Sequence, residues 1–253
     1  MKPLELLKTE LEEGILIITL DNPGQQNALS TACIDALREV IQEVYDNNDI
    51  KSAIITGTGD EVFATGAPLE EIKALNELNG RKFAENGQET FALIENCHKP
   101  ILAAVNGRAH DGGFELALAC HLRVASENAV LGFPEVAMGL IPGFGGTQRL
   151  THLIGKTRAS ELLMTGAEIT AAAAKDIGLI GHVVSYPDAM LKKGKEILRR
   201  IMANSPLAVG MLVNCTNAAS NPNENGYQME ANSFAHCCTA EGFREGVDTL
   251  TNE

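Results

Sequence analysis

The chain has 253 residues, enough to bury a large core, and its 45% apolar and 21% charged residues exclude a disordered or fibrous protein. Its formal net charge of −13 argues against non-specific binding of nucleic acid, which needs a basic patch. Six cysteines without disulfide spacing, the absence of a signal peptide and the absence of an apolar run of about 20 residues predict a cytoplasmic protein with reduced thiols and no membrane span.

The first half of the chain alternates between strand and helix patterns. Strands are expected at 14–20, 52–56, 100–105 and 122–125, and helices at about 31–46, 69–96 and 113–120. Ser30 is expected to cap the first helix, and Asn79–Gly80 is expected to interrupt the second. Strands separated by helices indicate parallel pairing, so the predicted fold class is α/β.

The second half is predicted to be almost entirely helical. Helices are expected at 146–154, 157–165, 170–177, 187–203, 206–219, 222–238 and 240–249, with one short strand at 181–184. The segment 217–225 is rich in Asn, Ser and Pro and is expected to join two helices. We divide the chain into a core over residues 1–200 and a C-terminal helical region over 201–253.

Two strand-to-helix turns are rich in small residues, at 63–69 and at 106–115. Small residues leave backbone N–H groups uncovered, and a following helix adds the positive end of its dipole. Two such turns side by side would form an oxyanion hole. The alternative is that both are simply tight turns.

Two isolated carboxylates stand in apolar surroundings. Glu115 lies in the first turn of an otherwise apolar helix, and Glu135 follows Pro134 ahead of a glycine-rich loop. Burial would raise the pKa of such a group, and two of them could activate one water molecule. The alternative for Glu115 is a helix N-terminal acid favoured by the dipole.

The long central motif resembles the enoyl-CoA hydratase/isomerase (crotonase) family. The resemblance is carried by 99–150 and extends to Asn22–Pro23, 27–30, 63–67, 163–166 and 172–180, which covers nearly the whole chain in order. It implies a crotonase-like core of repeated ββα units wound in a spiral, with a C-terminal helical region that forms trimers or dimers of trimers. These are expectations drawn from the family.

The resemblance also implies roles for individual residues. It makes Ala67 and Gly112 the N–H donors of the oxyanion hole, Glu115 the base toward water and Glu135 the acid toward the α-carbon. It further implies substrate contacts by Ala64, Gly66, Leu69 and Gly143.

The implied function is reversible hydration of a 2-enoyl-CoA, since both carboxylates are retained. Coenzyme A would enter as part of the substrate, and no metal or other cofactor is expected. The alternatives are an enoyl-CoA isomerase, with Glu135 moving the proton and Glu115 idle, and a non-catalytic acyl-CoA-binding homologue. No nucleic-acid or membrane partner is expected.

Several positions depart from the family pattern. Pro68 follows Ala67 but leaves the Ala67 N–H in place. His110 and Asp111 replace a small or apolar residue and a glycine. We expect Asp111 to turn away and cap the following helix, the alternative being that the pair reshapes the acyl pocket. Asn22 stands where the family usually has Arg, and the usual basic C-terminal tail is missing.

Overall fold

The computed structural model describes residues 6–221, 223–240, 242–244 and 247–248. Its strands are β1 (Leu7–Glu12), β2 (Ile15–Leu20), β3 (Ser52–Gly57), β4 (Val62–Ala64), β5 (Ile101–Val105), β6 (Arg108–His110), β7 (Leu122–Ser126), β8 (Val130–Gly132), β9 (Ile169–Thr170) and β10 (His182–Val184). Its α-helices are α1 (Thr31–Asp46), α2 (Leu69–Lys73), α3 (Glu77–Glu95), α4 (Gly112–Ala119), α5 (Gly146–Ile154), α6 (Lys156–Thr165), α7 (Ala171–Asp176), α8 (Pro187–Met202), α9 (Pro206–Ala218) and α10 (Gly226–Cys238).

The strands form two sheets. The larger is six-stranded, in the order β1-β2-β3-β5-β7-β10, and the smaller is four-stranded, in the order β4-β6-β8-β9. Pairing is antiparallel for β1 with β2 and for β8 with β9, and parallel elsewhere. Antiparallel pairing of β1 follows from the two-residue turn Glu13–Gly14, where both φ angles are positive, at 50° and 81°.

One unit recurs along the core: a strand of the larger sheet, a strand of the smaller sheet, and then a helix. The sequence β3-β4 leads to α2 and α3, and β5-β6 leads to α4. After β7-β8 a 3₁₀ turn, Pro134–Met138, takes the place of the helix. This is the repeated ββα architecture that the family resemblance implied, so the predicted fold class is confirmed.

The two faces of the larger sheet are covered differently. One face packs on α1, α3 and α4, and every residue of α4 is buried. The other face, which includes Ile54, Leu102 and Val124, packs against α8 through Met190 and Leu198. The boundary between 200 and 201 that we assign from the sequence falls inside α8 and stays a prediction.

Most of the predicted elements are confirmed, including the cap of α1, where the Ser30 hydroxyl accepts from the Cys33 N–H at 3.2 Å. The predicted break at Asn79–Gly80 is wrong. The chain breaks at residues 74–76, because the Asn76 side chain caps α3 and Asn79 completes a capping box with it. The helix expected from 222 begins at Gly226, capped by Asn225. The helix expected over 240–249 lies partly outside the described residues.

Candidate active site

Three turns of the chain meet at one edge of the smaller sheet. Because β4, β6 and β8 are neighbours and run parallel, their carboxyl ends lie at the same edge. Ala67 follows the end of β4, Gly112 follows β6, and Glu135 follows β8. The topology therefore brings three of the predicted site residues to one edge, and α4 adds Glu115 one turn after Gly112.

The Ala67 and Gly112 amides lie on touching turns. A Cβ placed on Gly112 would stand 3.6 Å from the Gly66 Cα, which is the residue before Ala67. Within the described chain, neither of these N–H groups donates a hydrogen bond. Gly112 also begins α4, so the positive end of the helix dipole lies at this amide. Uncovered amides beside a helix N-terminus can stabilise a developing oxyanion.

Close packing between α4 and β4 fixes this arrangement. A Cβ on Gly113 would come within 2.0 Å of the Ala64 carbonyl oxygen. Only glycine therefore allows the start of α4 to lie this close to β4. Ala64 itself is fully buried beneath Gly113.

Glu115 is a buried acid held by backbone donors. Its Oε1 accepts hydrogen bonds from the N–H groups of Phe144 at 2.8 Å and Gly146 at 2.7 Å. Burial raises the pKa of Glu115 from 4.5 to about 7, although these two hydrogen bonds and the charge of Arg149 act in the opposite direction. The side chain can thus exchange a proton near neutral pH.

Arg149 holds the loop that supplies those two donors. Its Nη1 donates to the Phe144 carbonyl at 2.8 Å, and its Nε and Nη2 both donate to Glu95 Oε2, at 3.0 and 2.9 Å. The Phe144 ring packs against Phe83 and Phe91 with centroid distances of 5.1 and 5.5 Å. No role for Arg149 or Phe144 could be predicted from the sequence, since only the fold places them behind Glu115.

Glu135 is buried, with 6% of its surface exposed, and lies in the 3₁₀ turn after β8. Its Oε2 has no hydrogen-bond partner among the described residues. Burial raises its pKa from 4.5 to about 9, and a carboxyl–carboxyl contact with Asp111 and the charge of Glu115 act in the same direction. The two glutamates interact electrostatically, and their different pKa values would suit one to act as base and the other as acid.

The expectation that Asp111 turns away and caps α4 is wrong. Asp111 occupies the N-cap position, but its side chain makes no capping hydrogen bond. Its backbone has φ 51° and ψ −127°, a conformation that costs a residue with a side chain about 1–3 kcal/mol. The carboxyl group instead faces Gly66 and Glu135. Beside it, His110 Nε2 lies 3.0 Å from Glu168 Oε1, and burial lowers the pKa of His110.

A cavity of about 340 Å³ opens beside Ala67, and Gly112, Glu115 and Glu135 do not line it. Its lining includes Gly66, Ala67, Leu69, Arg108 and Asp111. Gly66 and Leu69 line this cavity, and their contact with substrate stays a prediction.

Gly143 is also expected to contact substrate, and this stays a prediction; its carbonyl accepts from Gln88 Nε2 at 2.8 Å. A larger cavity of about 640 Å³ is lined by Pro142, Gly145 and Arg149 together with Glu95 and Asn217. None of Ala67, Gly112, Glu115 and Glu135 lines that larger cavity.

In the part of the chain that the structure describes, no group of three or more His, Cys, Asp or Glu side chains is placed to hold a metal ion. No helix there combines the length and the apolar character needed to cross a membrane.

The chain is similar to known proteins in both sequence and structure. The family model described as enoyl-CoA hydratase/isomerase matches residues 10–252. A short-chain-enoyl-CoA hydratase of Clostridium acetobutylicum is 36% identical over 239 residues, 94% of this chain and 91% of that protein. A crotonyl-CoA hydratase of Syntrophomonas wolfei is 37% identical over 239 residues, 94% and 92% of the two chains. The crystal structure of an enoyl-CoA hydratase from Bacillus anthracis superposes with a TM-score of 0.91 at 33% identity, covering 98% of this chain and 96% of that one.

Proposed function

The chain belongs to the enoyl-CoA hydratase/isomerase family, and from that premise we propose that it is a hydro-lyase that adds water reversibly across the C2–C3 double bond of a 2-enoyl-CoA. Relatives of similar length named as short-chain-enoyl-CoA and crotonyl-CoA hydratases support this reaction. The observation that carries the proposal is the pair of buried glutamates, Glu115 and Glu135, beside two uncovered amides.

In the proposed mechanism the thioester oxygen binds between the N–H groups of Ala67 and Gly112. Glu115 as carboxylate takes a proton from water while the water oxygen bonds to C3. The π electrons move toward the thioester, and the resulting enolate oxygen is stabilised by the two amides. Glu135 as carboxylic acid then gives its proton to C2, and proton transfer between the acids and solvent resets the site.

The pKa values of the two glutamates support this assignment of base and acid. Burial brings Glu115 to a pKa of about 7, so it is ionised above neutral pH. Glu135, with a raised pKa of about 9, still carries a proton there. An addition that needs one carboxylate and one carboxylic acid can therefore proceed between these two values.

A short acyl chain is the proposed substrate class. The buried Phe144 ring lies against Gly112, since a Cβ on Gly112 would come within 3.1 Å of the ring. Phe83 and Phe91 support that ring from behind. Such an aromatic wall next to the proposed thioester site would leave little room for a long chain, in keeping with the names of the two bacterial relatives.

The test is hydration of crotonyl-CoA, followed by the loss of enoyl-thioester absorbance. Glu115→Gln and Glu135→Gln should each lower kcat by about 10²–10⁴, the usual effect of removing a general acid or base. Glu161→Gln, on the exposed surface of α6, is the matched control and should retain full activity.

Two results would contradict the hydratase proposal, and a third would contradict its mechanism. Conversion of a 3-enoyl-CoA without hydration would make the protein an isomerase. Binding of acyl-CoA without turnover would make it a non-catalytic homologue. Full activity in both glutamine variants would remove the two-carboxylate mechanism.

Assembly into a trimer or a dimer of trimers through the C-terminal helices is also a proposal. It is supported by large apolar side chains left exposed on α9 and α10, namely Leu212 at 63%, Tyr227 at 89% and Phe234 at 72%. Light scattering at micromolar concentration tests it, and a monomer would contradict it.

A further inference from the structure

Asp111 is held in an unusual position from both sides. Its N–H donates to the Gly132 carbonyl at 3.1 Å, and its own carbonyl accepts from the Glu115 N–H at 3.0 Å. These bonds tie it to β8 and to the first turn of α4, and they fix φ at 51°. A residue with a side chain rarely adopts this backbone unless its surroundings hold it there. The side chain is thereby aimed into the site, next to the Gly112 amide.

The Asp111 carboxyl group lies between Gly66 and Glu135. A Cβ on Gly66 would meet the Asp111 Cβ at 2.7 Å and Oδ2 at 3.3 Å, so the side chain packs directly on that turn. Its carboxyl group interacts with that of Glu135, and this interaction raises the pKa of Glu135. Asp111 Oδ1 and Glu135 Oε2 are both buried and lack a hydrogen-bond donor in the described chain. Two neighbouring carboxylates repel each other when both are ionised. One shared proton removes the repulsion and gives each group a hydrogen bond.

The charged groups around Asp111 and Glu135 do not neutralise the two carboxyl groups in place of that proton. Glu115 faces Glu135 from α4 and adds negative charge, with Arg149 behind Glu115. On the other side of Asp111, burial lowers the pKa of His110, which lies against Glu168. Arg108 is exposed and is close enough to affect His110, but it forms no ion pair with Asp111 among the described residues.

We propose that Asp111 is a positioning residue that shares one proton with Glu135 and thereby keeps Glu135 in the acid form needed to protonate C2. This inference rests on the proposed hydration, in which Glu135 is the acid. Asp111 acts through Glu135, and no contact of its own with the substrate is required. It gives a role to a residue that departs from the family pattern within the site.

Two variants separate charge from backbone strain. Asp111→Asn removes the charge and keeps the strained backbone, whereas Asp111→Gly removes both and suits the positive φ. Glu168→Gln is the control, since it removes a nearby carboxylate that contacts His110 and not Glu135.

The first readout is the pH profile of kcat for crotonyl-CoA hydration. The alkaline limb should move to lower pH by about one unit or more in both Asp111 variants. The reason is that one of two adjacent carboxyl groups typically raises the pKa of the other by about one unit or more. It should stay in place in Glu168→Gln. A uniform loss of rate with an unmoved limb would mean that Asp111 is merely structural. A shift in Asp111→Gly alone would assign the effect to the backbone. Either result would overturn the proposal.

The second readout needs no turnover and so distinguishes this proposal from the hydratase proposal. Infrared difference spectra near pH 8 should show the C=O stretch of a protonated carboxylic acid in the wild-type protein. The pH at which the band disappears should fall by about one unit or more in Asp111→Asn, and the band should be absent in Glu135→Gln. Absence of the band in the wild type, or an unchanged pH of disappearance in Asp111→Asn, would overturn the shared proton. The expected fall, in a protein that hydrates no enoyl-CoA, would support the proton pair and reject the hydratase assignment.

Discussion

Replacing Glu115 by glutamine should change how the free energy of unfolding depends on pH. Burial raises the pKa of Glu115 from 4.5 to about 7 in the folded protein, and the unfolded chain returns to the ordinary value. A raised pKa means that the folded state holds the proton more tightly. The wild-type protein therefore loses stability as pH rises from about 4.5 to about 7, and this group causes no further loss above that.

The size of the loss follows from the two pKa values. They are 4.5 and about 7, a difference of roughly 2.5 pH units, and each unit corresponds to about 1.4 kcal/mol. Ionising Glu115 in the folded protein thus costs about 3 kcal/mol. A glutamine keeps an oxygen for the Phe144 and Gly146 N–H groups, and any cost of burying its amide is the same at every pH.

Urea unfolding of both proteins at a series of pH values between about 4.5 and 8 measures this effect. The stability of Glu115→Gln relative to the wild type should rise by about 3 kcal/mol across the series. Glu161→Gln, which removes an exposed carboxylate, should follow the wild-type curve. The free energies of unfolding of Glu115→Gln and wild type could instead differ by the same amount at every pH. In that case the pKa of Glu115 in the folded protein is not raised, and the electrostatic account of the base is wrong.

Three further predictions concern catalysis. The pH profile of kcat/KM for crotonyl-CoA hydration should be bell-shaped, rising through about 7 as Glu115 ionises and falling through about 9 as Glu135 loses its proton; a profile without limbs between about pH 6 and 10 would contradict the two assignments. Ala67→Pro removes one donor N–H and should lower kcat by about 10²–10³. Ala67→Gly keeps the donor, so its kcat should fall far less. Equal losses of kcat in the two variants would exclude that amide from the oxyanion hole. Arg149→Met removes a charge that lowers the pKa of Glu115, so the acidic limb of the profile should move to higher pH. Circular dichroism checks that the variant is folded. An unmoved limb in a folded variant would show that Arg149 has no influence on the base.

The strands of the larger sheet other than β1, and most of the helices, could be predicted because each has a local signal. The strands β2, β3 and β5 have apolar centres and are buried on both faces, and α1 has a capping serine and regular apolar spacing. The strand β1, with mostly exposed residues, was not predicted. The smaller sheet was not predicted, because β4, β6 and β8 have three residues each and β9 has two. Such short strands show no measurable periodicity and exist only because the ββα units stack.

The candidate site was predictable where a motif carried it and not where the fold alone decides. Isolated acids indicated Glu115 and Glu135, and the family resemblance indicated Ala67 and Gly112. The structure brings these four to one end of the smaller sheet. The orientation of the Asp111 side chain was predicted wrongly. Its N-cap position favours capping in isolation, but the bonds that tie it to Gly132 and Glu115 impose a positive φ and turn the side chain inward.

The central claim is that two amides and two glutamates act on one bound thioester. A crystal structure with butanoyl-CoA, which is saturated and cannot be hydrated, tests it most directly. The thioester oxygen should lie about 2.7–3.1 Å from the nitrogens of both Ala67 and Gly112, with C2 and C3 facing Glu135 and Glu115. A thioester oxygen that faces solvent, or an acyl chain that lies away from both carboxyl groups, would contradict the account.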